Sequence, residues 1–89
     1  MSITVEGLGT SIPDVIDAAG NIIEIKNAIN LSYTTQLQIQ VQGAQGSVSL
    51  IVSPITQYIS GPLQRAIAST GGTIQVSNPA TGAFTPWRP

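Results

Sequence analysis

The stretch Ile23-Glu24-Ile25-Lys26-Asn27-Ala28-Ile29-Asn30-Leu31-Ser32-Tyr33-Thr34-Thr35-Gln36-Leu37-Gln38-Ile39-Gln40-Val41 decides how this chain is read. Its odd positions are apolar except Asn27 and Thr35, and its even positions are polar except Ala28. Successive side chains of a strand point to opposite faces. A period of two therefore predicts one apolar face for a core and one polar face, carried by Gln36, Gln38, Gln40 and Gln42, for water or a partner. A single strand from Ile29 to Val41 would run roughly 43 Å. A compact domain of this size has a radius of gyration near about 12 Å. The strand must bend near Thr34-Thr35 or project as an arm.

The residues that follow offer a partner for it. Gly43-Ala44-Gln45-Gly46 reads as a four-residue turn, and Ser47-Val48-Ser49-Leu50-Ile51-Val52-Ser53 resumes the alternation. Pairing Gln42 with Ser47 sets Val41 opposite Val48, Ile39 opposite Leu50 and Leu37 opposite Val52, with Gln and Ser sharing the other face. Only Ile51, opposite Gln38, breaks that pattern.

Two more hairpins carry defined turn chemistry. In Asp17-Ala18-Ala19-Gly20-Asn21 the aspartate opens a turn and the glycine takes the left-handed position, pairing Val15 with Ile23. Asn78-Pro79-Ala80-Thr81-Gly82 does the same and brings Val76 opposite Phe84. A helix over residues 12–23, capped by Ser11 and started by Pro13, is the alternative for the first segment. Ile55, Tyr58, Ile59, Leu63, Ala66 and Ile67 recur at helical spacing, and Gly61-Pro62 predicts a kink within that helix.

The expected class is α+β: a small antiparallel sheet built from hairpins, with one kinked helix at about 54–69 on a face. The alternative is all-β. Residues 1–83 read as one small β-rich domain, and 84–89 as a C-terminal arm containing Pro86, Trp87 and Pro89.

Composition narrows the chemistry. The chain has 89 residues, no histidine and no cysteine. Thiolate nucleophiles, Cys or His zinc sites and the usual neutral-pH base are therefore excluded. No hydroxyl lies in a nucleophile motif, so an enzyme is not expected. Asp14 and Glu24 face each other across the first hairpin. They read as a solvated edge rather than a metal or acid–base site, and neither a metal nor a cofactor is expected. Three Lys and Arg residues against a net charge of −1 argue against nucleic acid. No apolar run is long enough to span a membrane. No signal peptide is legible in Met1 to Glu6.

Charged residues make up 8% of the chain, against about 25% in an ordinary soluble domain. None lies between Lys26 and Arg65. Free proteins keep sheet edges apart with charges, so their scarcity predicts surfaces that meet other protein. The expectation is a structural subunit of a virion, phage tail or extracellular filament that polymerises with copies of itself, with or without other structural proteins. Strand addition by residues 36–53 and docking of the C-terminal arm would carry the assembly. Its interface would comprise Gln36, Gln38, Gln40, Gln42, Ser47, Ser49, Phe84, Trp87 and Arg88. The rival is a small non-catalytic module whose Gln/Ser/Thr face and Trp87 recognise a polar ligand such as a glycan.

Overall fold

The computed structural model describes residues 2–88. In chain order the elements are β1 (Ile3–Val5), β2 (Gly9–Ser11), β3 (Val15–Ile16), β4 (Ile22–Lys26), β5 (Asn30–Leu31), α1 (Thr35–Gly43), β6 (Val48–Val52), β7 (Tyr58–Ile59), α2 (Gly61–Ser69), β8 (Ile74–Ser77) and β9 (Phe84–Pro86). The class is α+β. Its main sheet has five strands in the order β3-β4-β6-β8-β9, and β1-β2 and β5-β7 form separate two-stranded ladders.

The sheet is mixed rather than built from antiparallel hairpins. β4, β6 and β8 run parallel at its centre, and only the edges β3 and β9 pair antiparallel. Parallel neighbours need crossover connections, which α1 and α2 supply. Right-handed crossovers between sequential neighbours place both helices on one side. That side buries Ile22, Val48, Leu50 and Val52 of the sheet against Leu37, Leu63 and Ile67 of the helices.

The expected strand over Gln36–Gln42 is instead helix α1. Thr34 caps it, its hydroxyl accepting from Leu37 N at 3.3 Å, and Leu and Gln are both good helix formers. Residues two apart on a helix point about 200° apart, so Leu37 and Ile39 cannot share a face. Leu37 and Gln40 turn into the core, and Gln40 reaches Glu24 on β4. Ile39 and Gly43 turn the other way, onto the β1-β2 hairpin. A β-carbon on Gly43 would fall onto Ile3, and one on Gly9 would lie 3.7 Å from Ile39 Cδ1. An apolar period of two is thus satisfied by a helix covered on opposite sides.

With 36–42 helical, the expected pairing of Val41 with Val48 is replaced. β6 lies beside β4, Ile22 opposite Val48 and Lys26 opposite Val52. The two preceding turns hold this register: Gly46 N donates to Gly20 O at 3.1 Å, and Ser47 N to Asn21 Oδ1 at 2.8 Å.

The expected helix at 54–69 is shorter. Residues 54–57 turn, β7 pairs parallel with β5, and α2 begins at Gly61. Ser60 caps it, and Pro62 occupies its first turn, where no backbone donor is needed, so the Gly61-Pro62 pair stands at the helix start and not at a bend inside it.

The first hairpin pairs Val15 with Ile23. Gly20 takes φ +86 and Asp17 organises the turn, accepting from Ala19 N and Asn21 N at 2.9 Å each. The second hairpin turns through Asn78–Gly82, one residue out of the expected register: Phe84 pairs with Ser77, and Val76 with Thr85. A slip of one residue exchanges faces. Phe84 and Pro86 therefore point away from the helices.

The Asn21 backbone N–H, then its side-chain amide, hold the Asp17 carboxyl below its ordinary 3.8. A depressed carboxyl pKa stabilises the fold above the ordinary value, and that contribution is lost as pH falls through the folded-state value. Asp17→Ala should therefore melt lower than wild type at neutral pH, with the two melting curves converging below pH 3.8. A gap that persisted unchanged in acid would assign the stabilisation to something other than this carboxylate.

Candidate functional site: the open face of the sheet

The side of the five-stranded sheet opposite the helices carries no covering layer among the described residues. By strand register it presents Val15, Ile23, Ile25, Ile51, Phe84 and Pro86, with Ser49, Gln75 and Ser77 among them. Val15 is 44%, Ile25 57% and Phe84 54% exposed. Sheets with parallel strands are normally covered on both faces, so an apolar open side is unusual. Ile25, Ile51, Pro54, Pro79 and Phe84 line a groove of about 330 Å³. Ser53 also lines it, and its Oγ is buried without a hydrogen-bond partner.

The register places no ionisable side chain on this face. Lys26 also lines the groove at the margin of the face, with its ammonium turned to the helix side to pair with Glu24 at 3.4 Å. The sheet edges are blunted. β3 has two residues, and just beyond it Asp14 Oδ2 accepts from Ile25 N at 2.9 Å, closing the exposed side of β4. β9 has three residues and ends in Pro86, which has no N–H to offer.

The expected interface residues are dispersed. Gln36 and Gln42 are exposed on α1, Gln38 Nε2 donates to Tyr33 O at 3.2 Å, and Gln40 is fully buried. Ser47 is held by Asn21, and Ser49 Oγ accepts from Thr73 N at 3.1 Å. Phe84 lies on the open face, as does Ser49 by register. Trp87 lies on the helix side with Gln64, Ile67 and Ala68, its N donating to Ile74 O at 3.0 Å and its Nε1 to Thr56 O at 3.4 Å. Arg88 is exposed, and Pro89 of the expected arm lies outside the described residues. Ile25 and Ile51 were missed as surface groups. Ile51 had left a signal as the apolar misfit in an otherwise alternating strand.

Glu24 is the opposite of the expected solvated edge. It is 2% exposed, and its Oε1 accepts from Gln40 Nε2 at 2.8 Å and Asp14 N at 3.0 Å. Gln40 Nε2 also donates to Ser11 Oγ at 3.0 Å, and the amide oxygen is left buried without a partner. The amide is oriented by the carboxylate: turning it over would set oxygen against oxygen. The cluster joins β2, α1 and β4 and opens no route for a substrate. Among the described residues no three His, Cys, Asp or Glu side chains are grouped as metal ligands. Among the described residues no helix is long and apolar enough to cross a membrane.

No family model, curated protein or solved structure matches the chain.

Gln40→Leu removes a donor from a buried carboxylate and should cost about 1–3 kcal/mol in urea unfolding. Adding Glu24→Leu removes the stranded acceptor, so the double variant should be less destabilised than the sum of the singles, by about 1 kcal/mol or more. Strict additivity would show that the two groups act independently.

Proposed function

We propose that this chain is a non-catalytic structural subunit that works by assembling with copies of itself, in a virion, phage tail or extracellular filament. The observation that carries the reading is large apolar side chains, Val15, Ile25 and Phe84, exposed together on an uncharged face of a protein with 8% charged residues. Water solvates such a surface poorly, while a neutral partner covers it without desolvating any ion.

The mode of assembly differs from strand addition by residues 36–53, since 35–43 are helical and both sheet edges are blunted. Docking by the C-terminal residues rests on Phe84 and Arg88, because Trp87 packs against its own chain. The polar-ligand reading loses its supports in the same way: the glutamines do not share a face, and the Trp87 indole is engaged.

Light scattering of the purified chain over roughly 10 μM to 1 mM spans the affinities of weak protein pairs. The mass should rise above the 9.2 kDa of one chain as concentration increases. A mass fixed at 9.2 kDa to the top of that range, with no other protein added, would end the self-assembly reading.

A further inference from the structure

We infer that the open face of the five-stranded sheet pairs with the same face of a second copy, sheet on sheet. The inference rests on the self-assembly reading and names the surface that reading leaves open.

Charge selects the occupant. The face holds no ionisable side chain, so a nucleic acid, an acidic peptide or an anionic membrane finds nothing on it to neutralise. A second copy meets the face with its own apolar residues, and no ion is buried on either side. Edge pairing is the competing way for two copies to meet, and it is obstructed by the two-residue β3, the Asp14 carboxylate on Ile25 N, and Pro86. The association surfaces that sheet proteins usually guard are guarded here, and the face is not.

Area fixes the strength. Strands of two, five, five, four and three residues, about 4.8 Å apart, make a face of roughly 300 Å², more when its corrugation is counted. Two such faces bury about 600–900 Å² together, below the range of stable specific pairs and in that of weak encounters. The pairing is therefore weak and concentration-dependent. Stacked sheets sit about 10 Å apart with side chains interdigitating, so the groove beside Ile25, Ile51 and Phe84 receives side chains of the copy. A two-fold pair closes on itself, so larger assemblies are built of pairs and use a second contact elsewhere.

β6 is the middle strand of the five, and Ile51 stands near its centre. Any two-fold pairing that covers the face brings Ile51 close to its counterpart. The chain has no cysteine, so Ile51→Cys introduces a single thiol. With an added thiol oxidant it should form disulfide dimers at least about tenfold faster than Gln36→Cys, on the helix side, at the same concentration. Ile25→Lys places a charge on an exposed site of the face. It should leave the melting temperature near that of wild type while weakening self-association at least about tenfold.

If wild type associates but Ile25→Lys associates equally well and Ile51→Cys cross-links no faster than Gln36→Cys, this face is the wrong surface and self-assembly stands. If wild type stays monomeric at 1 mM, both readings fall. Should Ile51→Cys unfold the chain, the Ile25→Lys comparison decides alone.

Discussion

Apolar residues spaced two apart on a helix need cover on two opposite sides, and the layout of this protein follows from that need. Leu37 and Gln40 face the five-stranded sheet, and Ile39 and Gly43 face the β1-β2 hairpin. An isolated amphipathic helix would need one apolar surface beneath it. Here a whole hairpin is committed to the outer side of α1, and both helices stand on one side of the sheet. Among the described residues nothing remains to cover the other side. The apolar open face is thus the counterpart of a doubly covered helix.

The buried polar cluster gives the same helix its position. Ordinary packing tolerates small sliding, but a carboxylate nine-tenths or more out of water requires donors at fixed places. Glu24 obtains them from Gln40, from the Asp14 backbone and from Lys26. Because Gln40 also donates to Ser11, rotating or translating α1 would strand groups on two strands at once. In a chain with seven charged residues, two of them serve this join.

Local turn chemistry was the most legible layer of the sequence. Asp17 and Gly20 announced the first hairpin with its register, and Asn78 to Gly82 announced the second with a one-residue offset, because a turn motif does not by itself say which flanking residues begin the ladder. The inward set of β6, Val48, Leu50 and Val52, was readable from alternation, but its neighbour was not: strand pairing between distant segments leaves no mark on either segment alone. The misreading of 36–42 has a definite physical origin. Alternation is compatible with a strand covered on one side or a helix covered on two, and the choice depends on the hairpin at residues 3–11. Thr34 as a cap and the helix-forming glutamines were the local signs pointing to the helix. The surface now at issue was visible in Ser49 and Phe84, two of the expected interface residues, and in Ile51, the residue that fitted no one-sided strand.

The wedging of α1 between hairpin and sheet also bears on the order in which the chain matures. During synthesis Ile3 and Val5 emerge well before Ile39 and Gly43, the residues they are shaped to meet. The β1-β2 hairpin is thus made before its docking partner and waits until α1 exists, leaving its oily side in need of shelter on a growing nascent chain. Termination before α1 would release a fragment with that side uncovered, so synthesis of α1 and concealment of the hairpin are coupled events.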